Sequence, residues 1–148
     1  GERTMDRAKL ANDYHNAGYS CSQAVVCAFA DVIGLPQEQL AALTGGFGGG
    51  FRTGEICGVL SGGAMVLGMR WPHSQPGDMK AKSYVAKKVM KFQALFKERV
   101  PGVRCQEIRD LGLTADISPA AQRLGLTKSC AIYIVTAVEI LEQMLEEE

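Results

Sequence analysis

Residues 78–99, DMKAKSYVAKKVMKFQALFKER, carry the longest helical pattern in this chain. Asp78 is a typical N-cap residue, because its carboxylate can accept a hydrogen bond from a free backbone N–H of the first turn. Pro101 and Gly102 follow the segment and end it. Between Asp78 and Pro101, apolar side chains recur at spacings of four and three, at Ala81, Val85, Val89, Phe92 and Phe96. The segment therefore predicts an amphipathic helix over 79–99 that covers a core.

Helical periodicity dominates the rest of the chain as well, and short stops of Gly and Pro separate its segments. It predicts helices at about 4–17, 20–33, 36–43, 55–68, 103–111 and 118–124, and a last helix after a Thr127 cap. The apolar stripe of the last helix is Ile134, Val138, Leu141 and Leu145. No alternating pattern of convincing length predicts a strand. We therefore predict an all-α fold, a single-domain helical bundle over residues 1–148 with a glycine-rich loop between helices three and four.

Composition excludes several classes of function. The chain has 148 residues, 47% of them hydrophobic, with 16 basic and 16 acidic side chains. A net charge of zero gives no reason to expect nucleic acid or an anionic membrane as partner. No apolar run reaches the roughly 18–20 residues of a membrane span, and the N-terminal residues lack the apolar core of a signal peptide. We expect a cytoplasmic protein, with a trimmed N-terminus because residue 1 is Gly.

The positions of the five cysteines suggest the chemistry. Cys21, Cys57, Cys105 and Cys130 each fall within about one turn of a predicted helix start, whereas Cys27 lies in the middle of a helix. A helix N-terminus has free N–H groups and the positive end of the helix dipole, so it favours an anion such as a thiolate. Four such positions predict redox or metal chemistry.

A helical wheel separates the two cysteines of the predicted helix at 20–33. Cys21 shares a face with the apolar Val25, whereas Cys27 falls on the opposite side, beside Gln23 and Asp31. We predict that Cys21 faces inward, and that Cys27 faces outward as a bystander on the surface or at a contact.

Cys57 would be the third residue of its helix if Gly54 were the N-cap. Gly58 follows it, and Gly62 lies one turn later. Glycine costs about 1 kcal/mol relative to alanine inside a helix, so these glycines need a reason. Either another helix approaches closely, or Gly58 leaves room beside Cys57 for a partner thiol, a cluster or a substrate, and both stay open. Cationic neighbours, Arg104 and Lys128, would lower the thiol pKa at Cys105 and Cys130.

Familiar local motifs are missing. The chain has no Cys-x-x-Cys, which makes a zinc ribbon or a thioredoxin site weakly supported, so a site of all four cysteines must be assembled by the bundle. The loop at 45–50, GGFGGG, is not followed by Lys-Ser or Lys-Thr and does not predict a phosphate loop. It either connects two helices or wraps a buried group, anchored by Phe47 and Phe51.

The lysines of the helix at 79–99 most simply form a solvated face, with a docking surface for an acidic redox partner as an alternative.

Several segments resemble the C_GCAxxG_C_C family of putative redox-active proteins. They are GYSCSQAV at 18–25, the loop at 45–50, GEICGVLSG at 54–62, VRC at 103–105 and the late Cys130. The resemblance extends over about residues 5–145, and Val59 departs from the alanine that is usual in the family motif. It implies redox activity. A relation to the helical domain of split-Soret cytochromes further implies an iron–sulfur centre, [2Fe–2S], or otherwise zinc, on Cys21, Cys57, Cys105 and Cys130, with Gly58 beside the cofactor.

Three functions stay open from the sequence. The first is a metal or cluster protein that uses four cysteine ligands for electron transfer or sensing. The second is a thiol–disulfide redox protein with Cys57 as the reactive, catalytic thiol. The third is a non-enzymatic helical module of a larger redox complex. The choice between oxidoreductase and electron carrier is open, the expected partner is a redox protein of unknown identity, and a homodimer stays an alternative.

Overall fold

The computed structural model describes residues 5–105 and 115–147, and within them the regular structure is helical. The helices are α1 (Arg7–Asn16), α2 (Cys21–Ala28), α3 (Ala30–Ile33), α4 (Gln37–Thr44), α5 (Gly58–Arg70), α6 (Met79–Arg99), α7 (Pro119–Arg123) and α8 (Ser129–Glu146). No strand forms among the described residues, where one isolated antiparallel bridge pairs Ile56 with Arg104. The predicted all-α fold is confirmed. The predicted helix at 103–111 lies mostly outside the described residues.

The Asp78 cap forms as predicted, and serines cap the helices that were predicted to begin at residues 20 and 118. Ser20 Oγ accepts a hydrogen bond from the N–H of Gln23, and Gln23 Oε1 accepts one from the N–H of Ser20, which is a complete capping box at the start of α2. The Asp78 carboxylate accepts from the N–H of Ala81 at 3.0 Å and begins α6. Ser118 caps α7 in the same way. These ends follow from local sequence alone.

The predicted helix at 20–33 is two helices, because the chain breaks at Phe29. Arg7 of α1 donates a hydrogen bond to the carbonyl oxygen of Ala28 at 2.6 Å. The N–H of Val32, which would bond to that oxygen in a continuous helix, bonds to the Phe29 carbonyl instead. A contact from another helix therefore ends α2. Gly34 still ends α3, with a φ of +82°, as predicted.

Two other starts differ from the prediction. α5 begins at Gly58 and not near residue 55, because the bridge between Ile56 and Arg104 holds that backbone in an extended pairing. α8 begins at Ser129 with Lys128 as the N-cap residue, whose side chain makes no cap hydrogen bond, so the predicted Thr127 cap is wrong.

The core is centred on α8. Residues 131–138 are all buried, and α8 contacts α1, α2, α5, α6 and α7. A helix that is apolar on every side is expected to be surrounded in this way. The predicted stripe is confirmed at Ile134, Val138 and Leu141, which are fully buried, while Leu145 is partly buried.

The long helix α6 packs through one end. Its Phe96 ring meets Tyr133 of α8 edge-on, with 5.3 Å between the ring centroids. Phe92 is equally buried, and it lies so close to Gly63 of α5 that a side chain there would collide with its ring. The preceding stripe, Ala81, Val85 and Val89, is only partly buried. None of the described helices has the combination of length and apolar character that a membrane span requires.

Candidate redox site

Cys21 is the first residue of α2 and is buried, as predicted. The capping box of Ser20 and Gln23 fixes the backbone just before it. The side chain of Gln23 also donates a hydrogen bond to the carbonyl oxygen of Ala41, which ties this helix start to α4. Cys21 is therefore held by its own helix and by a neighbouring helix.

Cys57 and Cys105 are brought together by backbone hydrogen bonds. The N–H of Cys57 donates to the Val103 carbonyl at 2.8 Å, and the N–H of Cys105 donates to the Glu55 carbonyl at 2.6 Å. The Ile56–Arg104 bridge lies between them. Cys57 is the N-cap residue of α5, so its predicted place as a third helical residue is wrong. Both thiols are buried.

Glycines let α5 approach the start of α2. A methyl group on Gly58 would lie 3.1 Å from the Ser22 nitrogen, and one on Gly62 would lie 3.0 Å from the Ser22 carbonyl oxygen. Such distances are tighter than ordinary contacts, so the close approach of another helix accounts for both glycines. This approach also brings Cys57 next to Cys21. The role of Gly58 beside a cofactor stays a prediction.

The glycine loop packs against the start of α2 and against the segment that carries Cys105. It consists of a 3-10 turn at Gly45–Phe47 and a turn over Gly50–Gly54 that begins with residues in the left-handed region. A methyl group on Gly48 would lie 2.6 Å from Cβ of Ser20, and one on Gly50 would lie 2.7 Å from Cβ of Cys105. Only glycine permits these approaches, so the loop wraps the segments that carry Cys21 and Cys105.

The loop also holds two strained residues. Phe51 and Arg52 have φ values of 62° and 61°, in the left-handed region that residues with a side chain rarely adopt. Strain of this kind costs about 1–3 kcal/mol per residue and persists where the surroundings enforce it, often at functional sites. Its position beside the cysteines marks this end of the bundle as the candidate site.

The Cys21 thiol is the common neighbour of the other three cysteines. It forms hydrogen bonds with the thiols of Cys130 and Cys57 and interacts electrostatically with Cys57 and Cys105. The hydrogen bond with Cys130 favours its thiolate, but the hydrogen bond with Cys57, burial, and the negative charge of Cys57 and Cys105 outweigh it and raise the pKa of Cys21 to about 12. The predicted lowering of a thiol pKa by the helix N-terminus is therefore wrong for Cys21. None of the five cysteines forms a disulfide within the described residues.

The sequence model of one protein family matches residues 19–144, a span that contains all of these cysteines. Its description is "Putative redox-active protein (C_GCAxxG_C_C)". The chain belongs to the C_GCAxxG_C_C family. The predicted resemblance is confirmed. No curated protein and no solved structure matches the chain.

In this C_GCAxxG_C_C protein the four thiols are adjacent but do not form a preformed metal site. Within the described ranges, no group of three or more His, Cys, Asp or Glu side chains is arranged so that it could hold a metal ion. The thiols of Cys57 and Cys130 instead form hydrogen bonds with the thiol of Cys21, and Cys105 acts on it through its charge. We refer to these four residues as the thiol cluster.

Cys27 is not exposed, so its predicted outward position is wrong. Its relative exposure is 1%, and its Sγ–H donates to the Gln37 carbonyl while the Gln37 side-chain amide donates back to the sulfur at 3.5 Å. The polar side of α2 is covered by α4, which the helical wheel could not show. Burial raises the pKa of Cys27, and the hydrogen bond from Gln37 opposes that rise.

Two supporting residues were not predicted from the sequence. The buried Ser22 hydroxyl donates a hydrogen bond to the Thr44 carbonyl and links α2 to the start of the glycine loop. The Tyr133 hydroxyl donates to the Gly102 carbonyl at 2.8 Å and fixes the segment that leads to Cys105. The role of Ser22 could have been predicted from its place next to Cys21. The role of Tyr133 could not, because its hydrogen bond to Gly102 joins residues that are far apart in the sequence.

Proposed function

We propose that this chain is a redox protein in which Cys21, Cys57, Cys105 and Cys130 are the ligands of an iron–sulfur centre, [2Fe–2S], that transfers electrons or senses redox state. The observation that supports the proposal is that Cys57, Cys105 and Cys130, from three further segments of the chain, all interact with the buried thiol of Cys21. A disulfide needs two cysteines, whereas a tetrahedral zinc site or a [2Fe–2S] cluster takes four.

The donor set fits such a centre in number and in kind. Thiols are soft donors that bind as thiolates, so each of the four cysteines would release its proton when the metal binds. The side chains would have to turn from their present arrangement around Cys21. When bound, the [2Fe–2S] centre would supply one-electron chemistry. The chain would hold it in place through the Cys57–Val103 and Cys105–Glu55 backbone bonds, and the glycine loop would limit the access of water.

Anaerobic reconstitution of the full chain with iron and sulfide tests this proposal. We expect about two irons and two sulfides per chain and visible charge-transfer absorption. Single Cys→Ser changes at the four positions should each strongly reduce iron content. Cys27→Ser is the matched control, because it removes a buried thiol outside the cluster. The proposal fails if the natively folded protein stays colourless and free of iron, if it takes up zinc alone, or if Cys27→Ser loses as much iron as the cluster variants.

A second candidate is thiol–disulfide exchange, favoured by the hydrogen bonds of the Cys21 thiol with the thiols of Cys57 and Cys130. An external disulfide would be the oxidant. The Cys57 thiolate would attack it and form a mixed disulfide, releasing one substrate thiol. Cys21 would then give up its proton and attack the Cys57 sulfur, which forms the internal disulfide and releases the second substrate thiol. Cys21 is poorly suited to make the first attack, because its pKa of about 12 keeps it protonated near neutral pH.

Thiol counting on the metal-free protein tests the second candidate. After treatment with an excess of a small disulfide and removal of the reagent, two thiols should be lost, and peptide mass mapping should place the new bond within the cluster. The Cys27 thiol should remain. Identical thiol counts after oxidising and reducing treatments would exclude this function.

A further inference from the structure

The outward face of α6 carries a row of exposed small and apolar residues. Met79, Ser83, Ala86 and Met90 follow one another at spacings of four, three and four, and Ala94 extends the row. All are exposed, and the relative exposures of Met79 and Met90 are 56% and 68%. The buried Phe92 and Phe96 lie on the other side of the helix. This spacing is the one at which helices pack in a coiled coil, and the small residues between the methionines would allow a partner helix to come close.

Lysines line both sides of this row. Lys80, Lys87 and Lys91 lie along one edge, Lys82 along the other, and Lys97 beyond its end, and all are exposed. Glu98 is the single acidic residue of α6, although the chain as a whole has no net charge. We call this face, from Met79 to Lys97, the lysine-rimmed strip. Its positive charge is therefore concentrated locally, and it is offset in part at Lys91, which forms an ion pair with Glu147 at 3.0 Å.

The charge placement departs from what helix stability favours. The first turn of α6 has no acidic residue. It carries Lys80 and Lys82 instead, near the positive end of the helix dipole, where cations are unfavourable. The N-cap carboxylate of Asp78 offsets part of this cost, and the departure that remains points to a functional reason. An acidic partner would supply further compensation.

We propose that the lysine-rimmed strip is the docking site of an amphipathic helix from another protein, with an apolar row flanked by glutamates or aspartates. Charge complementarity selects this occupant. A second copy of the same strip would place lysines against lysines, which disfavours symmetric pairing. The proposal concerns a partner and does not depend on which chemistry the thiol cluster performs.

Titration of the full chain with a designed helical peptide tests the proposal. The peptide carries leucines in its a and d positions and glutamates beside them, and a matched peptide carries lysines in place of the glutamates. We expect the acidic peptide to bind, to bind more weakly as salt rises, and to shift the backbone NMR signals of residues 79–97. The lysine peptide should bind at least about tenfold more weakly.

Paired variants separate docking from general effects of charge and hydrophobicity. The double change Lys80→Glu and Lys87→Glu should weaken binding about tenfold or more, whereas Lys9→Glu, a charge reversal on α1, should change it less than about twofold. Met90→Asp should weaken binding strongly. Leu43→Asp is its control, since the relative exposure of Leu43 is 67%, close to that of Met90. Circular dichroism checks that each variant is folded.

Three results would overturn the proposal. The first is equal binding of the acidic and the lysine peptide, or none by either. The second is equal weakening by the strip variants and their controls. The third is self-association of the unliganded chain in sedimentation that Lys87→Glu abolishes. In that case the occupant would be another copy, docking head to tail through an acidic surface such as the groove lined by Asp6, Glu139, Glu142 and Glu146.

Discussion

Helix α2 carries a cysteine in its first turn and another six residues later, and the two are buried alike but differ in their neighbours. Cys21 meets the thiols of Cys57 and Cys130 and lies near Cys105. Cys27 meets one amide, that of Gln37, which also donates a hydrogen bond to the hydroxyl of Tyr19. Burial therefore does not distinguish a candidate redox thiol from a structural one. The two kinds of thiol are distinguished by the groups that contact each sulfur.

The two ends of α2 are also packed by different means. Around Cys21, close contacts come from backbone at glycines, with Gly58 against Ser22 and Gly48 against Ser20. Around Cys27, the contacts come from Gln37, through its carbonyl oxygen and its side-chain amide. Packing through glycine gives a region whose geometry depends on the absence of single methyl groups, so we expect the thiol cluster to be the more easily disrupted of the two regions.

The largest effect is expected from Gly50→Ala. Gly50 has a φ of +61°, and the new methyl group would lie 2.5 Å from the Glu55 carbonyl oxygen and 2.7 Å from Cβ of Cys105. Left-handed strain of about 1–2 kcal/mol adds to overpacking of about 1–3 kcal/mol. We expect the free energy of unfolding in urea to fall by about 3 kcal/mol. The iron content after reconstitution should fall with it.

Gly125→Ala is the control for backbone strain. Gly125 has a φ of +65°, but a methyl group there would meet nothing within 4 Å. This variant should lose only the strain contribution and keep its iron. Equal losses of stability and iron in the two variants would show that the contact between Gly50 and Cys105 does not matter.

Tyr133→Phe tests the thiol cluster from the side of Cys105, with a smaller effect. It removes the hydrogen bond to Gly102 and should lower the free energy of unfolding by about 1 kcal/mol. Because the segment after Gly102 pairs with Cys57, iron should also be released faster to a chelator. Thr136→Val removes a hydroxyl that bonds to Ile132 within α8, so it serves as the control. Faster release in both variants would mean that general stability, and not the Cys105 segment, governs iron release.

Local sequence was sufficient for most of the fold. The caps at Ser20, Asp78 and Ser118 act within three residues of themselves, and the stripes of α6 and α8 repeat every three or four residues. The start of α5 could not be predicted in the same way. It is set by the pairing of Ile56 with Arg104, and no local pattern in the sequence encodes a contact between two segments so far apart.

The four cysteines of the candidate site were singled out by their places at predicted helix starts. Their interactions with Cys21 depend on tertiary contacts, which the sequence alone did not predict. The error at Cys27 has a specific cause. Its neighbour on the wheel, Gln23, is polar, and polarity was taken to indicate solvent. In the structure Gln23 donates a hydrogen bond to the Ala41 carbonyl of α4, so the polar side of α2 is a contact between helices.

The smallest effect is expected at the Cys27 end, from Asp31→Asn at acidic pH. Arg7 donates to both carboxylate oxygens of Asp31, at 2.6 and 3.0 Å, as well as to the Ala28 carbonyl where α2 ends. The hydrogen bond from Arg7 holds the pKa of Asp31 below its ordinary value, although partial burial opposes this. Stability from this pair is therefore present above the unfolded-state pKa of about 3.9 and is lost as the pH falls through the lower folded-state pKa.

The side chain of Asp31 is 49% exposed, so its ion pair contributes little, about 0.5 kcal/mol at neutral pH. The free energy of unfolding, measured in urea from about pH 6 to pH 2.5, should fall slightly more steeply for the unmodified chain than for Asp31→Asn, and the two curves should meet at the acidic end. Parallel curves would show that the pair has no effect on stability. The iron content should be unchanged in Asp31→Asn, because Arg7 and Asp31 anchor the end of α2 that lacks the thiol cluster. A loss of iron in this variant would mean that the two ends of α2 are coupled, and the contrast between Cys21 and Cys27 would then be one of degree.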